Sequence, residues 1–333
     1  MRAMALRQPA AVETAPLVAV DLPVPEPAAG EIRARVRKCG VCRTDLHVVE
    51  GDLPPVAERI VPGHQVVGTV DALGRGCTRF APGQRVGIAW LRSTCGTCTW
   101  CRRGDENLCA AARFTGYHAD GGYAEYAAVR EDFAYALPDA LDDAEASPLL
   151  CAGIIGYRAL RRAEIRPGCR LGLYGFGASA HIAIQVARHL GCRVFAMTRE
   201  AKHRSLAAAL GAEWTGGAAD PPPEKLDSAV LFAPAGALVP SALEALDRGG
   251  TLAIAGIHLS PVPPLDYQRH LFYERTLRSV TANTRRDGEE LLRIAAEIPI
   301  RPHTVAFALA DANTALQQLK HDGFEGAAVL HVA

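Results

Sequence analysis

Between residues 170 and 255 short apolar runs alternate with helical segments, and this alternation constrains the fold more than any other feature of the chain. The apolar runs are 170–174, 193–197, 228–232 and 251–255; the helical stretches are 182–190, 205–210 and 240–246. Strands that are apolar along their whole length must be covered on both faces. The pattern therefore predicts a parallel sheet with helices on either side, a doubly wound α/β arrangement. Gly175, Gly177 and Ala180 form G-x-G-x-x-A at the first strand-to-helix turn. Glycines there permit a tight turn and let a pyrophosphate approach the free N–H groups of the following helix. Alone, the motif is often only a packed turn. Its strand-then-helix setting makes it a dinucleotide site.

The first 150 residues read differently. Strand-like runs at 32–36, 66–70, 85–89 and 123–129 are separated by Pro62-Gly63, Pro82-Gly83 and Gly121-Gly122, which indicates an irregular, mostly β domain. Helices are expected at 289–297 and 312–320, and a final strand at 327–331. A chain of 333 residues suits two domains, and no internal repeat is present. Lys plus Arg and Asp plus Glu both total 36, so neither nucleic acid nor an anionic membrane would meet a net basic field, and no such partner is expected. The start, MRAMALRQPA, lacks the apolar centre of a secretory signal, and the apolar stretch 229–246 is broken by Pro234, Pro240 and Glu244. The expected location is cytoplasmic.

Ten cysteines in an intracellular chain point to metal rather than disulfides. Cys95, Cys98, Cys101 and Cys109 have the spacing C-x2-C-x2-C-x7-C, which lets one loop wrap a tetrahedral structural zinc. The spacing does not match the usual ferredoxin runs. Cys42, His64 and Cys151 are weak signals singly. As a set, two thiolates and one imidazole leave a fourth zinc position open, as catalytic zinc requires.

The chain resembles the zinc-containing medium-chain alcohol dehydrogenases. The resemblance rests on GVCRTDLH (40–47), PGH (62–64), the four-cysteine loop, DGGYAEY (120–126), LLCAG (149–153) and YGFGASA (174–180), in the family's order along essentially the whole chain. It implies a GroES-like catalytic domain at 1–152, a Rossmann domain at 153–283 and a return to the catalytic domain at 284–333. It implies two Zn2+ per chain, one catalytic on Cys42, His64 and Cys151, and one structural on Cys95, Cys98, Cys101 and Cys109. The implied reaction moves a hydride between a small or medium alcohol, or its aldehyde or ketone, and NAD(P), in a homodimer or homotetramer. Thr44 would accept the alcohol proton and His47 deliver it to water, while Asp45 would orient His64 and Arg43 would contact the pyrophosphate.

Several positions depart from the family. Gln65 stands where most relatives carry Glu, Ile155 replaces a hydroxyl residue, and the Arg of a final G-R-x-V strand is absent from 326–329. At the end of the second Rossmann strand, Thr198 and Arg199 stand where NAD-specific folds place a carboxylate, with Lys202, His203 and Arg204 close behind. A 2′-phosphate would be repelled by a carboxylate and welcomed by Arg, so NADP is favoured slightly over NAD. The resemblance implies that Trp90 is a pocket wall, as in compact ethanol dehydrogenases, the alternative being a plain core aromatic; Leu53 stands where their second tryptophan does, which implies a larger pocket. Two alternatives follow: an NADPH-dependent reductase of bulkier aldehydes, and a non-catalytic, zinc-stabilised nucleotide-binding regulator. The second has no use for an open zinc position.

Overall fold

The computed structural model describes every residue except Pro299 and Ala333, both of which fall in the expected 284–333 return segment. The chain forms two compact units, Met1–Cys151 with Ala282–Ala333, and Ala152–Thr281.

The first unit is built on a seven-stranded sheet. Its longest strand, Glu31–Val41, buries Ile32, Ala34 and Val36 while the residues between them stay partly or fully exposed, the two-residue period of a half-covered strand. It pairs antiparallel with Gln65–Leu73, Tyr126–Arg130 and Ala327–His331. Register shifts at Arg33/Ala34 and Val36/Lys38 bend it, and beyond them Cys39, Gly40 and Val41 are all buried. The strand thereby delivers Cys42 to the start of the helix Arg43–Glu50 from the middle of the core. The final strand Ala327–His331 lies beside it, so the C-terminal segment completes the first unit's sheet.

The second unit is a six-stranded, wholly parallel sheet. Its order is Trp214–Gly216, Arg193–Met197, Arg170–Tyr174, Leu226–Leu231, Leu246–Ile254 and Thr276–Ser279. Strand order reverses between Arg170–Tyr174 and Leu226–Leu231, the switch point at which Rossmann folds bind their ligands. The structure thus has the expected GroES-like and Rossmann-type architecture in one α/β chain.

Local differences from the sequence reading have physical causes. The run expected as a strand at 123–129 becomes one only at Tyr126, because Gly121, Gly122 and Tyr123 use their N–H groups on Val61, Gly63 and Pro62. The segments Trp214–Gly216 and Thr276–Ser279 are strands although neither is a long apolar run, since each sits at a sheet edge. Leu149–Gly153 forms a π-helical turn between Asp143–Pro148 and Ile154–Arg162.

Candidate metal centres and nucleotide turn

Cys42 caps the helix Arg43–Glu50. Its Sγ accepts the Thr44 N–H at 3.3 Å, and its own N–H donates to Asp45 Oδ2 at 2.9 Å. This is a capping box in which a thiol and an aspartate occupy the usual Ser and Glu positions. The other carboxylate oxygen, Asp45 Oδ1, accepts the Gly63 N–H at 3.1 Å and lies 3.0 Å from His64 Nδ1. Asp45 is only 2% exposed, so one buried carboxylate fixes both Cys42 and His64.

The turn that presents His64 depends on glycine. Gly63 has φ +99°, and a Cβ there would lie 2.4 Å from the Tyr123 ring. Asp120 accepts the Val61 N–H at 2.9 Å and pairs with Arg59, which secures the other side of the turn. The third residue of the set, Cys151, sits in the π turn, half-buried among buried neighbours.

His64 Nε2 lies 3.2 Å from Cys42 Sγ, which is 3.8 Å from Cys151 Sγ. Tetrahedral zinc with Zn–S bonds of about 2.3 Å separates two sulfurs by about 3.8 Å, so the donor set fits the ion. Hydrogen bonding to Cys151, and then burial, push the Cys42 thiol well above its usual range. A cation is what would let the Cys42 sulfur ionise.

The second cluster is a surface loop. The sulfur contacts are 3.9 Å for Cys95–Cys101, 3.5 Å for Cys98–Cys101 and 3.5 Å for Cys95–Cys109. All four ligand atoms lie within 4.8 Å of one another. Backbone donors of Thr97 and Cys98 pull the Cys95 thiol down to about 6, a thiolate prepared for a metal.

His47 occupies the last turn of the helix, and its Nδ1 lies 2.7 Å from Asp52 Oδ2. Asp52 was missed in the sequence, although its place just past the C-capping Gly51 puts it within reach of His47. Thr44 is half-buried in the first turn, and Arg43 pairs at the surface with Asp322 at 3.2 Å. Trp90 meets the His64 ring edge-on at 4.9 Å and stacks on Phe114 at 4.8 Å. Tyr117 continues the stack at 6.2 Å and donates its hydroxyl to Pro54 O. Phe114 and Tyr117 also escaped the sequence reading, being unremarkable in isolation. Leu53 lines a hollow with Leu6, Val48, Val56, Ile60 and Tyr117. The Gln65 side chain is buried over Gly40, with its Nε2 unpartnered.

In the second unit, Gly175 has φ +86°, and a Cβ would lie 2.8 Å from Ala233 N, so glycine is required. Gly177 caps the helix Ala178–His189 without a side-chain bond, and a Cβ there would meet nothing within 4 Å. Ala180 is fully buried on that helix. Thr198 is buried and Arg199 exposed, while Arg204 donates to the carbonyls of both. Arg204 therefore braces the loop.

Comparisons with known proteins fit this geometry. The profile "Alcohol dehydrogenase GroES-like domain" matches residues 28–139, and "Zinc-binding dehydrogenase" matches 180–297. A probable alcohol dehydrogenase of Mycobacterium tuberculosis is 55% identical, over 99% of this chain and 97% of its own length. An alcohol dehydrogenase of Geobacillus stearothermophilus is 34% identical, over 95% and 96%. Among solved structures, a cobalt- and zinc-bound thermostable alcohol dehydrogenase from Pyrobaculum aerophilum superposes with TM-score 0.89 at 28% identity, covering 100% of this chain and 99% of that one. No helix among the described residues is long and apolar enough to cross a membrane.

Proposed function

This chain belongs to the zinc-containing medium-chain alcohol dehydrogenase family, and on that premise we propose that it transfers a hydride between a small or medium alcohol, or its aldehyde or ketone, and NAD(P), with NADP slightly favoured. The observation that carries the proposal is the convergence of Cys42, His64 and Cys151 around one buried carboxylate, Asp45. Those three residues would hold the catalytic zinc, and Cys95, Cys98, Cys101 and Cys109 a structural one. Zinc at the first position supplies Lewis acidity, lowering the pKa of an alcohol oxygen.

The chain's own residues do the rest. Asp45 keeps the proton on His64 Nδ1 and leaves Nε2 to the metal. Thr44 Oγ1 accepts the alcohol proton. His47, with Nδ1 engaged by Asp52, uses Nε2 to take that proton onward to water. The stack of Trp90, Phe114 and Tyr117 beside His64 offers a flat apolar wall, suited to substrates larger than ethanol. The uncapped N-terminus of Ala178–His189 would receive the pyrophosphate, and exposed Arg199 would meet a 2′-phosphate. Ile257, Val262, Tyr267, Phe272 and Tyr273 are exposed, and the edge strand Thr276–Ser279 is unpaired on one side. They support assembly with a second copy, as a homodimer or homotetramer.

Metal analysis combined with a panel of alcohols and aldehydes tests the reading. Wild type should carry two zincs and turn over with NADP. Cys98→Ser and Cys151→Ser should each carry one. A wild type with a single zinc and no activity on the panel would overturn the proposal in favour of a scaffold.

A further inference from the structure

Six of the ten cysteines belong to the two sulfur clusters. Of the remainder, Cys39 and Cys77 each donate to a backbone carbonyl, of Gly40 and Glu31. The last two face each other. Cys169 Sγ lies 3.2 Å from Cys192 Sγ, in the second unit.

Topology sets this pair. Cys169 directly precedes the strand Arg170–Tyr174 and Cys192 directly precedes Arg193–Met197, and the two strands are parallel neighbours in register at Arg170 and Arg193. The segments before them are clamped by Gly168 N to Gly191 O and Arg193 N to Cys169 O, both 2.9 Å. Facing residues on adjacent strands are separated by about 4.8 Å. A disulfide spans Cα separations of roughly 4.4–6.8 Å, so the bond can close without moving the sheet. Both thiols are buried, at 3% and 7% exposure, but each lies one layer beneath an exposed turn, formed by Arg166, Pro167 and Gly168 on one side and Gly191 on the other.

We propose that Cys169 and Cys192 are a reversible dithiol–disulfide modification site whose oxidant is a hydroperoxide. The two sulfurs have unequal roles. Their mutual hydrogen bond pulls the Cys169 thiol down to about 7 and pushes Cys192 up, and Cys192 Sγ also donates to Arg166 O at 3.8 Å. Cys169 is the nucleophile. Its thiolate attacks a peroxide oxygen, the O–O bond breaks, and hydroxide or alkoxide leaves, so that Cys169 becomes a sulfenic acid. Cys192 then loses its proton and attacks the Cys169 sulfur; the S–S bond forms and water departs. Two thiols have given up two electrons and two protons, and the peroxide is reduced to water and water or an alcohol. The bond encloses the strand–turn–helix unit that contains Gly175 and Gly177, tying its two ends together at the N-terminal ends of the two strands, opposite the glycine turn.

The test uses zinc-loaded full-length protein titrated with hydrogen peroxide, quenched by alkylation, mapped by peptide mass spectrometry and assayed in parallel for bound zinc. Wild type should yield a Cys169–Cys192 linked peptide at peroxide doses that leave the zinc content unchanged, and dithiothreitol should reverse it. Cys192→Ala should stop at a dimedone-trappable sulfenic acid on Cys169, and Cys169→Ala should leave Cys192 unmodified. Zinc loss before any such peptide appears would overturn the proposal, as would full alkylation of both thiols after peroxide. Oxidation of Cys192 at the wild-type rate in Cys169→Ala would also overturn it. Should a variant fail to fold, the wild-type linkage map and zinc count decide alone.

Discussion

Asp45→Asn perturbs the point at which both ends of the proposed catalytic metal site are tied. The carboxylate accepts Cys42 N–H on one oxygen, and Gly63 N–H and His64 Nδ1 on the other, all between 2.9 and 3.1 Å. An asparagine retains one oxygen and turns an amide donor toward the remaining donors. Either the helix cap or the turn–imidazole pair is then left with donor facing donor. A buried donor left unpaired costs about 1–3 kcal/mol, so the variant should unfold with a free energy lower by about that amount. Loss of a hydrogen-bonded support behind a metal ligand typically weakens binding roughly 10–100-fold. That corresponds to about 1.4–2.7 kcal/mol. Chelator competition measures the affinity, since the separate four-cysteine site provides an internal reference, and thermal melts with and without zinc measure stability. Unchanged zinc affinity together with lowered stability would reduce Asp45 to a helix cap and refute its role in orienting His64.

Thr44→Ala should nearly abolish turnover, and His47→Gln and Asp52→Asn should slow it less, because water can substitute at the relay's exposed end; near-wild-type rates in all three would remove the relay. Gly63→Ala should destabilise the first unit and lower zinc content to one per chain, since the new methyl meets the Tyr123 ring at a positive φ; metal analysis and melting check it. Thr198→Asp combined with Arg199→Ala should reverse a preference for NADP by one to two decades in kcat/KM, roughly the 1.5–3 kcal/mol of a charge-assisted contact, whereas a wild type that strongly prefers NAD would refute the argument. Hydrogen bonding to Lys320 holds the Glu13 carboxyl at about 2, below its ordinary 4.5. The stabilisation it gives is complete above 4.5 and disappears as pH falls toward 2, so Glu13→Gln should flatten the acid side of the stability profile in that window.

Spacing made the four-cysteine cluster legible, because all of its ligands lie on one loop and short intervals are themselves geometric information. The parallel sheet was legible for a similar reason, since buried strands leave a continuous apolar record. Cys42, His64 and Cys151 were legible only as a set and gained their roles through family resemblance: nothing local in a lone cysteine reports that a bulged strand, a glycine turn and a π turn converge. Asp52, Phe114 and Tyr117 were not legible, since an exposed carboxylate and two aromatics acquire meaning only from the side chains they meet. The sequence places Arg204 in a basic run, but only the structure shows that its guanidinium is spent on the carbonyls of Thr198 and Arg199.

The π turn at Leu149–Gly153 carries a consequence for how this chain tolerates change in length. A π turn accommodates one residue more than the α-helix it interrupts. Each residue advances an α-helix by about 100° and a π turn by less, so deleting one of the four residues around Cys151 would restore regular winding, leave the flanking helices near their present phase and rotate the residues inside the turn. Cys151 would still be present, and its sulfur would aim elsewhere. The aim of this sulfur is thus stored in a count of residues rather than in any side chain. A single deletion at Ala152 should cost as much metal as replacing Cys151 itself, although every proposed ligand is still encoded.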